Sequence, residues 1–138
     1  MDQQHKEIQE AINAGEQLLY QLEQSRLYLK KASHWGLYDM LGGGFFATMI
    51  KHNRIKDAKR YMDDSRMLLQ RFSSELRDIH TTFDDLGDID GFWTFADYFM
   101  DGFLADFMVQ TKINKALSKL DGLITSVRNI LSQLYQMK

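Results

Sequence analysis

His34, Trp35, Asp39, Gly42, Gly43 and His52 sit together in one stretch, SHWGLYDMLGGGFFATMIKHNRIKDA, at 33–58. Three consecutive glycines at 42–44, ahead of a helix-like segment, have the backbone to present successive N–H groups to an anion. Lys51, His52 and Arg54 add positive charge nearby, and His34 with Asp39 has the residue types of a general acid–base pair. Two features oppose an anion cradle. There is no G-x-x-x-x-G-K-[ST] phosphate loop, and in a helical 45–52 segment Lys51 and His52 would lie about two turns from the glycines, at the end of the dipole that favours cations. The glycines read better as a bend between helices. A small-ligand or anion site built from His34, Trp35, Asp39, Gly42, Gly43 and His52 stands as the alternative.

Two further clusters carry chemistry by type. Asp84, Asp85, Asp88 and Asp90 precede Gly91 in FDDLGDIDGF, which resembles a calcium loop but lacks its first ligand and its bidentate Glu when Gly91 is set at position six. A solvated turn capping the next helix is the expected structure there, with weak Ca2+ binding as the third functional reading. The histidines at 5, 34, 52 and 80 fall in neither a His-Glu-x-x-His nor a Glu-x-x-His pattern, so solvated or capping roles are expected. The segment GFWTFADYFMDGFLADFM holds Phe92, Phe95, Tyr98, Phe99 and Phe103. Its apolar residues wrap too much of a helix for one narrow seam, so they form either core or an interface of the aromatic kind that protein partners favour.

Composition narrows the class. The chain of 138 residues is long enough for one domain with a real core, and 44% hydrophobic with 26% charged residues is ordinary for a globular protein. A net charge of −2 without a Lys/Arg-rich run argues against nucleic acid. Cysteine is absent, which removes disulfides and thiol chemistry. The polar start MDQQHKEIQEAI is unlike a secretion signal, and no long uncharged apolar run suits a membrane span, so a cytoplasmic location is expected.

The elements that must position these residues are helices. Proline is absent altogether, leaving only glycine and polar clusters to punctuate the chain. Ile8, Ile12, Gly15, Leu19, Leu22, Arg26 and Leu29 alternate spacings of four and three. The same spacing runs from Ala58 through Met62, Ser65, Leu69, Phe72, Leu76 and Ile79 to Phe83, and again from Ala116 through Leu120, Leu123, Val127, Ile130 and Leu134 to Met137. Such stripes imply three long helices of about 28 residues, packed at shallow angles. The expected fold is all-α: an antiparallel bundle of three long helices with short helical connectors, one domain over 1–138.

Sliding the chain against itself adds an internal repeat. Trp35, Asp39, Gly44, Phe45, Ala47, Ile55, Ala58, Asp63 and Leu76 fall on Trp93, Asp97, Gly102, Phe103, Ala105, Ile113, Ala116, Asp121 and Leu134, where average composition gives about two or three identities. Residues 35–76 and 93–134 therefore read as two copies. Shared positions are expected to serve the fold: Gly44 and Gly102 by a positive φ or a close approach, Trp35 and Trp93 as buried wedges, Asp39 and Asp97 as caps of the next turn. Unshared positions, such as His34, Gly42, Gly43 and His52, are expected to mark function.

The run Trp35-Gly36, Asp39-Met40, Gly42-Gly43-Gly44 and Lys51-His52 resembles a stretch from a family of small bacterial helical proteins with no established activity. The resemblance covers 33–58 and implies a helical fold in an intracellular bacterial setting; it assigns no catalytic residue and no cofactor. The expected function is that of a non-enzymatic protein acting through association with a protein partner or with itself as a homodimer, with neither nucleic acid nor membrane as partner.

Overall fold

A computed structural model of the chain describes residues 2–42, 54–80, 89–102 and 113–138, with side chains described there except at 2, 31–42, 54–59, 62, 80 and 113. Every described element is a helix: α1 Asp2–Gly42, α2 Arg54–His80, α3 Ile89–Asp101 and α4 Ile113–Met137. At 41 residues, α1 is about 60 Å long. It does not end near Leu29, as the apolar stripe suggests, but continues to Gly42. A glycine at that terminus suits a helix end.

Side-chain pairs fix the directions. Along α1, Gln17 accepts from Arg71, Ser25 meets Ser65 and Tyr28 packs on Tyr61, so α2 runs antiparallel to α1. On the other side Glu16, Glu23 and Arg26 meet Tyr135, Arg128 and Asp121, so α4 is antiparallel to α1 as well. The short α3 lies along α4, with Lys119 over the rings of both Phe95 and Tyr98, and it touches α2 where the Phe72 and Phe92 rings meet edge-on at 5.5 Å. Neighbouring helices thus alternate in direction around one core.

That core follows the four–three stripes with one shift. On α2, Ser65, Leu69, Phe72, Leu76 and Ile79 are buried; on α4, Ala116, Leu120, Leu123, Val127, Ile130 and Leu134 are buried. On α1, Ile8, Ile12, Gly15, Leu22 and Leu29 are buried as expected, but Leu18 and Ser25 take the places expected of Leu19 and Arg26, which are half-buried. The reason is that α1 has two partners. Ser25 faces α2, whereas Arg26 turns to α4 and pairs with Asp121 at 2.5 Å, so the buried arc of α1 is wider than one seam.

The buried Ser25–Ser65 contact sets register between α1 and α2. Ser25 Oγ donates to the Gln21 carbonyl at 2.9 Å. A hydroxyl carries one proton, so in the 3.2 Å contact between the two serines Ser65 is the donor. A one-turn slip would leave Ser25 its bond to Gln21 but take the acceptor from the buried Ser65 hydroxyl, at about 1–3 kcal/mol for the unsatisfied group.

Two glycines allow the closest approaches. A Cβ at Gly15 would stand 2.7 Å from both Leu131 Cδ2 and Phe72 Cε1. A Cβ at Gly122 would overlap three ring carbons of Phe95. Gly102, by contrast, does not have the positive φ expected of it. Its N–H donates to the Tyr98 carbonyl at 2.8 Å, continuing the helical pattern, and a Cβ there would make only ordinary contact with the Tyr98 ring at 3.6 Å. Gly44 lies outside the described residues.

Gly15→Val is expected to lower stability by about 1–3 kcal/mol through overpacking, since the gain in helix propensity recovers only a few tenths. Gly122→Ala is expected to destabilise in the wild-type background and much less beside Phe95→Leu, because the smaller side chain vacates the clashing volume. A double-mutant cycle by thermal melts reads this coupling; additive effects would contradict the contact.

Candidate functional site: the cleft between α2 and α3

The residues singled out around the glycine run do not form a described site. His34, Trp35 and Asp39 all lie on the last turns of α1, and Gly42 is its final residue. His34 and Asp39 are five residues apart on a continuous helix, about 140° around the axis, which is not a spacing that makes side chains neighbours. Asp39 is inside α1 and Asp97 inside α3, so neither is the helix cap expected of it. Gly43 and His52 lie outside the described residues, as do Asp84, Asp85, Asp88 and Phe103. Asp90 is in the first turn of α3, where its charge complements the dipole. Among the described residues no group of three His, Asp or Glu side chains is placed to hold a metal ion.

Of the aromatic candidates for an interface, two are buried within the chain. Phe92 and Phe99 are 0% and 1% exposed within the chain itself, which removes both from any surface. Phe95 and Tyr98 are half-buried on the core and lie toward α4, under Lys119 at 5.9 and 5.7 Å from their ring centres. Phe92 and Phe99 are therefore core, while Phe95 and Tyr98 pack partly against it.

What the segment does build is one wall of a cleft of about 440 Å3 between α2 and α3. Leu69, Ala96 and Met100 supply apolar lining, and Ser73, buried at 8% exposure, turns a hydroxyl position toward it. Trp93 is half-buried rather than a buried wedge. One side packs on Phe92 at 5.0 Å between centroids, and the Arg77 guanidinium stands over its ring at 5.2 Å. Arg77 and Asp97 are both exposed and line the same cleft. Neither has an ion-pair partner among the described residues. Residue type alone does not single out Arg77; only the i, i+4 spacing of Ser73 and Arg77 on α2, facing Trp93 and Asp97 at the same spacing on α3, brings the four together.

A second feature is the groove between α1 and α4. Leu19, Tyr20, Leu131 and Tyr135 line one depression of about 490 Å3, and Leu27, Ile124 and Thr125 line another of about 520 Å3. The two are continuous, since the Glu23–Arg128 ion pair, 2.5 Å long, lies at the edge of both. Tyr20, Leu27 and Tyr135 are 65%, 51% and 49% exposed. The Tyr135 hydroxyl donates to Glu16, and this hydrogen bond to a carboxylate, with burial second, raises the phenol above its ordinary pKa.

No protein-family model, no curated protein and no solved structure matches the chain. None of the described helices is long and apolar enough to cross a membrane.

On the opposite side, Glu75 has its pKa raised, first by partial burial and then by the neighbouring charges of Glu10 and Asp78, with Arg71 opposing. A raised folded-state pKa means that the ionised carboxylate disfavours the fold at neutral pH. The unfavourable contribution disappears as pH falls through the raised value towards 4.5. Glu75→Gln is accordingly expected to raise the melting temperature at pH 7, with the gain shrinking towards zero at pH about 4. Melts of both proteins at the two pH values check the sign.

Proposed function

We propose that the protein acts non-enzymatically, through association with a second copy of itself across the α1–α4 face. The carrying observation is the exposure of Tyr20, Leu27 and Tyr135 along one groove. Three large apolar side chains along the rims of adjoining depressions, bordered by Glu16, Glu23 and Arg128, have the make-up of an interface centre with a charged rim.

A second copy is favoured over an unrelated partner because α1 is self-complementary about a two-fold axis. Tyr20 and Leu27 are seven residues apart, two turns on one face. Two antiparallel α1 helices centred between Glu23 and Gln24 set Tyr20 of each chain against Leu27 of the other. The same alignment brings the Glu16 end of one helix to the Lys30 end of its mate, and the two Glu23 side chains that meet beside the axis are each paired with Arg128 of their own chain. Such isologous pairing is the commonest route to a homodimer.

The remaining parts of this reading are a single domain over 1–138, built of three long helices and the short α3, a cytoplasmic setting and descent by internal duplication. Support for the duplication comes from burial. Ser65, Leu69, Phe72 and Leu76 are buried on α2, and so are their offset partners Leu123, Val127, Ile130 and Leu134 on α4. Phe72 and Leu131, one residue from equivalent positions, meet at the same glycine of α1.

Sedimentation velocity is expected to give twice the chain mass at micromolar concentration. Tyr20→Glu with Leu27→Glu is expected to yield a folded monomer with unchanged helical circular dichroism, whereas Phe95→Asp lowers the melting temperature by unseating α3 from α4. A wild type that stays monomeric at several hundred micromolar, or a dimer indifferent to the double substitution, would remove the proposal.

A further inference from the structure

We infer that the α2–α3 cleft is a binding site for a small zwitterion with an apolar body, of the class of an aliphatic α-amino acid. The inference is separate from self-association, which uses the opposite groove of the bundle.

Three observations converge on that class. The first is charge. Arg77 and Asp97 line one cleft, both are exposed, and neither has an ion-pair partner among the described residues. On a helical protein surface unpaired opposite charges across a groove ordinarily close on one another. Here Arg77 lies over the Trp93 ring instead, at 5.2 Å, in a cation–π contact that spends no hydrogen-bond donor. Its guanidinium edge remains available for a carboxylate, and a guanidinium is the group that binds carboxylates in a fixed, two-pronged geometry.

The second is spacing. Asp97 follows Trp93 by four residues on α3, one turn on and about 6 Å along the axis. The carboxylate is therefore displaced by one turn from the ring that Arg77 covers. Two opposite charges bordering one cleft suit a ligand whose own charges are adjacent, with one protein group flanking each. A pure anion would meet Asp97 and a pure cation would meet Arg77, so only a molecule carrying both is favoured at both ends.

The third is the lining. Leu69, Ala96 and Met100 give the cleft an apolar surface, and methionine adapts to aliphatic chains of varied shape. Ser73, buried beside them, offers a hydroxyl that can donate to a carboxylate or accept from an ammonium. A volume of about 440 Å3 lies in the range of small-molecule sites and leaves room for an aliphatic side chain and its hydration.

L-leucine is the probe, read by calorimetry and by Trp93 fluorescence in a Trp35→Phe background. N-acetyl-L-leucine lacks the ammonium and L-leucine methyl ester lacks the carboxylate. Saturable leucine binding is expected, weakened about tenfold or more for each analogue, since each removes one charge-assisted contact. Arg77→Gln and Asp97→Asn are each expected to lose about tenfold in leucine affinity. Both positions are exposed, and melting temperatures within about 2 °C of wild type would confirm intact folds. As a cross-check, Asp97→Asn should narrow the gap between leucine and N-acetyl-leucine, and Arg77→Gln the gap between leucine and its ester. Absence of leucine binding up to about 10 mM, equal binding of the two analogues and leucine, or full retention of binding in both variants would each overturn the inference.

Discussion

At Gly15 the backbone of α1 is approached from one side by the Phe72 ring and from the other by Leu131, each near enough that a single added carbon would collide with it. This double approach is the constraint on which the bundle rests. It lets α1 serve two helices at one level, so that α2 and α4 both run antiparallel to it and share its core. Phe72 then reaches past α1 to Phe92, which links the same level to α3. A bulkier residue at 15 would push both neighbours outward and open the centre. Close packing in protein interiors leaves no slack to absorb such a shift.

Around that centre the two sides of the molecule are finished differently. Between α2 and α4 the short α3 fills the gap, seated by Phe95 on Gly122 and sealed by Phe92 and Phe99. With 13 residues against 27 and 25 for its neighbours, it covers only part of their length, and the cleft beside Trp93 lies along its junction with α2. Between α1 and α4 no described helix covers the outer groove, and Tyr20, Leu27 and Tyr135 stay in contact with solvent. One surface is thus concave, small and bordered by two charges that have no ion-pair partner among the described residues; the other is long, apolar and bordered by paired charges.

Most of the helical core was legible in the four–three spacing, because a side chain's position along a helix fixes its face. That rule places Leu69, Phe72 and Leu76, and Leu123, Val127 and Ile130, without reference to any partner. It fails by one residue at Leu18 and Ser25, where two partners widen the buried arc, and nothing within a single helix's pattern tells one partner from two. Gly15 stood in the stripe as an apolar-spaced position, but its closeness to Phe72 and Leu131 depends on residues far along the chain. The site was less legible still. Arg77 and Asp97 are ordinary surface charges in sequence, and their meeting is set by the packing of α3 against α2.

Under the proposed duplication, an unshared position can also be structural. Gly122 has Asp64 as its counterpart, which is unshared and exposed on α2, yet Gly122 is structural. The difference follows from where the aromatic segments lie. In the second copy the segment is a separate helix, free to turn back along α4 and press Phe95 onto residue 122. In the first copy the corresponding residues are the last turns of α1, continuous with the helix before them, so their path is set by α1 and not by α2. Position 64 therefore never receives a ring and can keep a charge. Trp93 and Asp97 show the converse: both have counterparts in Trp35 and Asp39, but only the free-standing α3 carries its pair to the edge of a cleft opposite Arg77. Under the proposed duplication, matching residues thus stand in two unequal environments, the last turns of α1 and the separate helix α3.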